Sequence, residues 1–279
     1  MTDASRITGH YSSGDLIERL RKSLAEDGAD PERPTMEALA PYDHFHGRGI
    51  EATDEMARSL HVRASDRLLD VGSGIGGPAR YLARRFGCRV SGIDLTPEFC
   101  EVARELTRAL GLEDRVEFHV GDALAMPFAD ASFDGAYSMN VSMNIADKPA
   151  LYREIQRVLK PGGWLVLSEI AQGPGGAPQY PTPWARTAEA SFLATREDTE
   201  RALREDGFDT VQSRSTRAQA LAFSERSREA VARGEKPPHR AVQLIHGELA
   251  KQAMANMARG TEAHALEPIE ILCRKKGPS

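Results

Sequence analysis

The 279-residue sequence holds three cysteines, Cys88, Cys100 and Cys273, which lie far apart and show neither a pairing pattern nor metal-ligand spacing. Reduced thiols are expected, and neither a disulfide framework nor a thiolate metal centre organises the fold. No apolar run approaches the roughly 20 residues that cross a bilayer, and the opening stretch MTDASRITGHYSSGD has no apolar signal core. The expectation is a cytoplasmic protein with no membrane partner. Long Lys/Arg runs are also missing, and the net charge is −5, which leaves no electrostatic footprint for nucleic acid. There is no internal repeat and no low-complexity tract. What remains is an ordinary globular composition, 41% hydrophobic and 28% charged, enough to bury a full core.

Leu16, Ile17, Leu20 and Leu24 recur at helical spacing, preceded by the cap candidates Ser12, Ser13 and Asp15 and followed by Gly28. After the loop GADPERPT and the stretch MEALAPYDHFHGRG, Ala52, Met56 and Leu60 mark one face of another helix. Residues 1–60 are therefore expected to form an accessory helical lid. From Arg67 the pattern changes to short apolar strands alternating with amphipathic helices, the signature of an α/β doubly wound sheet. Strands are expected at Leu68–Val71, in CRVSGID, VEFHV and FDGAYS, and in GWLVLSEI after a KPGG turn. Thr96, Pro97 and Glu98 read as cap, first helical residue and first-turn acid. AQGPGGAPQYPTPWA reads as a long loop over the open end of the sheet. A helix in EDTERALREDGF and strands in DTVQSRSTR and LEPIEILCRKK follow, with helical stretches near Ala218–Arg233 and His239–Arg259 between the two strands. The expected division is lid 1–60, core 61–217, cap insert 218–260, and last strand with tail 261–279.

The decisive stretch is LLDVGSGIGGPARYLARRFGCRVSGIDLT, Leu68 to Thr96. Gly72, Gly74 and Gly77 fit the G-x-G-x-x-G spacing of a dinucleotide site, a weak signal alone. Asp70 changes its meaning, because a pyrophosphate beside that carboxylate would be repelled. A ligand with an ammonium and a sulfonium, S-adenosylmethionine, is complementary to it, directly or through water. Asp94 ends the second strand where either cofactor would present ribose hydroxyls. Asp122, at the end of the third strand, can accept from an adenine amine while Ala123 offers a backbone N–H. Acids at three successive strand ends thus trace a path for one adenosyl ligand.

LLDVGSGIGG, VSGIDLTPEFCEVAR, VEFHVGDALAMPFADASFD and EIQRVLKPGGWLVLSE resemble the successive motifs of class I S-adenosylmethionine-dependent methyltransferases, in particular the small-molecule (type 11) group that includes glycine and sarcosine N-methyltransferases and sugar O-methyltransferases. The likeness runs from about Arg67 to Glu169. It implies a Rossmann-like seven-stranded sheet ordered 3-2-1-4-5-7-6, with strand 7 antiparallel. It implies methionine binding by Asp70, Gly72 and Gly74, ribose binding by Asp94, and adenine contacts by Leu95, Asp122 and Ala123. Asn140 stands where the family approaches the methionine end and the methyl group.

The open end of the sheet also gathers SMNVSMN, SEIAQGPGG and both lids, and ligands of open α/β sheets sit there. Asn140 and Asn144 can orient a polar substrate, or satisfy loop backbone. Glu169 can take a proton or hold a cation, or serve as a buried turn acceptor. Trp184 can wall the pocket or anchor its own loop. In YDHFHGRG, His44 and His46 would project to one side of an extended segment, but no third ligand completes a metal set, so no metal is expected. The segment reads instead as a lid in which Tyr42, Phe45 and a histidine close over the ligand, with His46, Asn140 and Glu169 as the catalytic candidates. His239 and His246 read as surface or packing residues of the cap.

Methyl transfer from S-adenosylmethionine to nitrogen or oxygen of a small metabolite is the leading reading. Transfer to carbon, a nicotinamide-dependent oxidoreductase and a non-catalytic adenosyl-ligand binder stand as alternatives. A homodimer is compatible with any of them.

Overall fold

The computed structural model describes residues 8–12 and 14–277. Ser13, among the expected cap residues, and the ends of the expected lid and tail lie outside the described residues. Strands β1 (Arg67–Val71), β2 (Arg89–Asp94), β3 (Val116–Val120), β4 (Phe133–Met139), β5 (Leu159–Gln172), β6 (Phe208–Ser215) and β7 (Leu266–Lys275) form one sheet ordered β3-β2-β1-β4-β5-β7-β6. β7 runs antiparallel to both β5 and β6, and the other pairs are parallel. The expected α/β topology is the observed one.

Alternation along each strand feeds two cores, because successive side chains point to opposite faces. Leu68, Tyr137 and Val166 pack on one face with Met56, Leu82 and Cys100. Those partners come from α3 (Ile50–Arg58), α4 (Gly77–Phe86) and α5 (Pro97–Ala109). Leu69, Val71, Phe133 and Ile271 pack on the other face with Leu151, Ile155 and Leu203, supplied by α6 (Lys148–Val158) and α7 (Arg196–Glu205). Among the described residues no helix is long and apolar enough to cross a membrane.

Two further layers cover the ligand end. Leu16, Leu20 and Leu24, spaced along α1 (Leu16–Glu26), are buried with Leu39 and Tyr42 of α2 (Met36–Asp43) against Phe99, Val102 and Leu106 of α5. Each such leucine contributes about 2 kcal/mol by leaving water. Between β6 and β7 lie α8 (Arg217–Ala232), α9 (Ala241–His246) and α10 (Leu249–Glu262). The single helical stretch expected near His239–Arg259 is thus interrupted at Gly247, where φ is +53°. Helix α2, which the sequence pattern did not mark, runs through Pro41 and ends two residues later. The two outer layers clasp each other. Arg240 donates from its backbone to Pro41 O (2.7 Å) and from its side chain to Asp27 and to the Tyr42 hydroxyl (3.0 Å).

Two local expectations are corrected. KPGG is not a turn before β5 but an irregularity inside it. Phe133 pairs with Leu159 and Gly135 with Trp164, so residues 160–163 bulge within the ladder. Lys160 Nζ is held there by Asp134 (2.7 Å), and Gly162 takes φ +74°. At the start of α5, Thr96 holds the cap position without a side-chain cap bond. Glu98 does not simply face its own helix dipole but reaches across the chain. It accepts from Gly14 N (3.0 Å), Leu16 N (2.9 Å) and Ser12 Oγ (2.7 Å), capping α1 in place of the Asp15 side chain.

Glu98→Ala is expected to remove that cap, cost about 1 kcal/mol in urea unfolding, and expose residues 12–26 to proteolysis before the core is cut. Equal stability and an unchanged cleavage pattern would refute this capping role.

Candidate active site

The strand-to-helix turn after β1 is built by hydrogen bonds that only a tight backbone can reach. Gly72 N and Ser73 N both donate to Ile93 O (2.8 and 3.0 Å), and Gly74 N donates to Asp94 Oδ2 (2.8 Å). Asp94 Oδ1 accepts from Thr96 N (2.9 Å), so one carboxylate joins the turn to the start of α5. Gly72 has φ +72°, and a Cβ there would lie 2.3 Å from Val141 Cγ2. No side chain fits that approach.

This turn forms one wall of a cavity of about 280 Å³. Of the residues singled out in the sequence, Gly72, Gly74, Asp94, Leu95, Asp122 and Ala123 line it. Phe45, His46, Asn140, Asn144 and Trp184 line it as well. Asp122 Oδ1 accepts from Leu124 N (2.9 Å), which fixes its carboxylate at the end of β3. Phe45 meets Phe99 edge to face (5.2 Å between centroids) and closes the roof over Gly74. Trp184 donates to Ser191 Oγ (2.8 Å), so it both walls the cavity and ties its loop. Asn144 donates to the Tyr11 hydroxyl (3.3 Å).

Asp70 is placed differently from the expectation of a carboxylate at the rim. It is 2% exposed, sits behind the turn and does not line the cavity, and its Oδ2 has no hydrogen-bond partner among the described residues. Burial raises its pKa to about 7, opposed by the Tyr137 hydroxyl and reinforced by the nearby Asp94 charge. Asp94 is also raised by burial, against the pull of the N–H groups of Gly74 and Thr96. Two carboxylates with unfavourable burial beside one turn favour a cationic ligand and oppose a pyrophosphate.

Asn140 directly follows β4 with φ +59°, a left-handed position that asparagine tolerates better than most residues. Its backbone N–H donates to Ser168 O (2.8 Å). In the amide orientation that satisfies both neighbours, its nitrogen donates to Ser168 O (3.3 Å) and its oxygen accepts from Gly47 N (3.1 Å). The side chain therefore pins the 44–47 segment to the end of β5. A second cavity of about 570 Å³ lies on the other side of this link, under α8 and α10, and Asn140, Gly47, His239, Met254 and Met257 line both spaces.

Glu169 faces the second cavity rather than the first. Its carboxylate accepts from Val141 N (3.1 Å), Ser142 N (3.2 Å) and Ser138 Oγ (3.2 Å). Burial raises its pKa, while those N–H groups and Lys148 oppose the rise. The geometry is that of the buried turn acceptor, shaping the 140–144 loop. Tyr42 and His44, proposed for the lid, are both buried away from the first cavity. Tyr42 OH donates to Asp27 Oδ2 (2.8 Å). His44 Nδ1 and His46 Nε2 both meet Thr53 Oγ1 (2.9 and 3.0 Å), so the pair converges on a hydroxyl. The remaining His46 nitrogen lies 3.2 Å from Gly47 O. Burial drives His44 down to about 3 and His46 well below its ordinary value, which keeps both neutral. His46 thus lines the cavity with both ring nitrogens already engaged.

The sequence reading missed Tyr11, His239, Met254 and Met257 as wall residues. Each lies in a lid or cap segment whose local pattern says only helix or loop, and nothing short of the tertiary fold aims it at the strand ends.

Residues 69–167 match the methyltransferase domain family. The chain is 36% identical over 173 residues to the methyltransferase GfsG of Streptomyces halstedii, covering 61% of this chain and 60% of that protein. It is 40% identical over 126 residues to phosphoethanolamine N-methyltransferase 1 of Arabidopsis thaliana, covering 45% of this chain but only 25% of that one. Its structure is similar to that of the [4+2]-cyclase SpnF, with TM-score 0.70, 26% identity, and coverage of 95% and 94% of the two chains.

Glu169→Leu is expected to strand two buried N–H groups and destabilise the protein by at least about 2 kcal/mol in urea unfolding, with Glu169→Gln losing less. A Leu variant as stable as the parent would show that the 140–144 loop does not depend on this carboxylate.

Proposed function

We infer that this chain, whose residues 69–167 match the methyltransferase domain family, is a class I enzyme that transfers a methyl group from S-adenosylmethionine to nitrogen or oxygen of a small molecule held in the second cavity. The observation that carries this reading is the junction at Asn140 and Gly47, where a cavity walled by strand-end acids meets a larger one beneath the cap. Residues 1–60 serve as the lid and 218–260 as the cap that together exclude water.

The residues present fit the donor. Asp94 lines the first cavity with its pKa raised by burial, which leaves it receptive to a ligand that brings N–H, O–H or positive charge. Asp94 and Asp122 keep free lone pairs for ribose and adenine donors at the cavity wall. When bound, S-adenosylmethionine supplies a methyl group already activated on sulfur. The protein then acts chiefly by alignment, for which effective molarities are worth up to roughly 7–11 kcal/mol. Phe45, Met139 and Trp184 give the first cavity its apolar wall, and Asn140 fixes the boundary across which donor and acceptor meet.

The similarity to a [4+2]-cyclase favours a second reading, in which an adenosyl ligand is held and the larger cavity carries chemistry without methyl transfer. Isotopically labelled donor incubated with the protein and a metabolite extract separates the two. Label in an extracted product supports transfer, and its absence, with donor binding intact, favours the second reading.

Binding of the donor and its demethylated product is expected in the micromolar range by calorimetry, with at least about 100-fold loss in Asp94→Ala and no saturable binding of a reduced nicotinamide dinucleotide. Unchanged affinity in that variant would remove Asp94 from the site. Binding is also expected to tighten as pH rises from 6 to 8. Asp70 carries a proton below about pH 7 in the free protein, and a cation bound nearby favours the ionised form, so binding releases that proton. A pH-independent affinity in the parent, or an unaltered pH slope in Asp70→Asn, would contradict this linkage.

A further inference from the structure

His239 stands in the segment that leads into α9 and lines both cavities at their junction, beside Asn140 and Gly47. Its Nε2 lies 2.8 Å from the backbone oxygen of His44. A carbonyl oxygen only accepts, so Nε2 carries the proton and the neutral ring must present a bare Nδ1. Among the described residues no donor is hydrogen-bonded to that nitrogen. At the junction His46 has both ring nitrogens engaged, and Glu169 already accepts from Val141 N, Ser142 N and Ser138 Oγ.

We propose that His239 is the general base of the transfer, with Nδ1 taking the proton from an acceptor O–H or N–H group that enters from the second cavity. This rests on the methyltransferase reading of the site. As the acceptor heteroatom bonds to the methyl carbon, the carbon–sulfur bond of the donor breaks and its electron pair stays on sulfur. The acceptor proton passes to Nδ1, so the positive charge leaves the sulfonium and ends on the imidazolium. The His44 carbonyl sets the tautomer beforehand and stabilises the charged ring afterwards, as an oriented acceptor does for a histidine base.

The surroundings keep the ring ready. Burial lowers the His239 pKa, and Arg240 lowers it further, while the His44 carbonyl opposes both. From the lid, His44, His46 and Arg48 stand near it, the two histidines held neutral by burial. From the strand ends comes Glu169, and from α8 and α10 come Arg228, Arg259 and Glu262 on the wall of the second cavity. The base form therefore predominates at neutral pH, and activity should fall only below the ordinary histidine range.

The test compares the parent, His239→Gln and His239→Ala, using labelled donor and the metabolite extract. His239→Gln retains an N–H for the His44 carbonyl and removes the base. The expected result is at least about 100-fold slower transfer in both variants, donor affinity within twofold by calorimetry, and at least tenfold recovery of His239→Ala by added imidazole. Carbethoxylation by diethyl pyrocarbonate, mapped by mass spectrometry, should label His239 in the parent above pH 6.5. The proposal is overturned by transfer within threefold of the parent in His239→Gln, by failure of imidazole to rescue, or by an unreactive His239. A parent that binds donor and transfers no label would instead overturn the methyltransferase reading itself.

Discussion

The Asp94 carboxylate is the interaction on which the ligand end of this molecule depends. One oxygen holds Gly74 N and the other Thr96 N, so the glycine turn, β2 and the start of α5 share a single anchor. Those bonds offset part of the cost of burying the charge, and what remains leaves the group receptive to a partner that brings N–H, O–H or positive charge. Fold and recognition are therefore not separable here. The side chain that shapes the turn is also the one the cavity presents.

The strain at Asn140 belongs to the same construction. Its left-handed backbone lets one residue bond to Ser168 through its main chain and, through its amide, to both Ser168 and Gly47. Val141, immediately after it, fills the space that Gly72 leaves. Glu169 then fixes the next two N–H groups from the neighbouring strand. Loop, lid and strand end are thereby locked in one geometry, and an energetically unfavourable conformation persists because its surroundings over-determine it.

Much of this is legible in the sequence alone. The period-2 strands and their glycine and proline punctuation carry the sheet, and the acids at the ends of β2 and β3 announce their own positions. Asp70 shows the limit. Its sequence position is right beside the turn, yet strand alternation turns its side chain into the face shared with Tyr137 and Arg80. His44 and His46 read as lid residues closing over the ligand, but Thr53, whose helical spacing gave no polar signal, receives both. Glu98 looked like a local dipole partner and instead caps a helix more than eighty positions away in sequence. His239 could not be assigned from sequence, because its meaning comes from a backbone oxygen on a different layer. Local chemistry specifies the elements, and long-range backbone contacts decide which side chains are left free.

The clasp between the outer layers links two traffic problems that the two cavities would otherwise keep apart. Arg240 is tied to Asp27, Tyr42 and Pro41, and its neighbour His239 is tied to His44, so the N-terminal helices and the inserted helices cannot swing open independently. Any opening of either cavity at this edge has to break or carry along those bonds, which makes the two outer layers one mechanical unit.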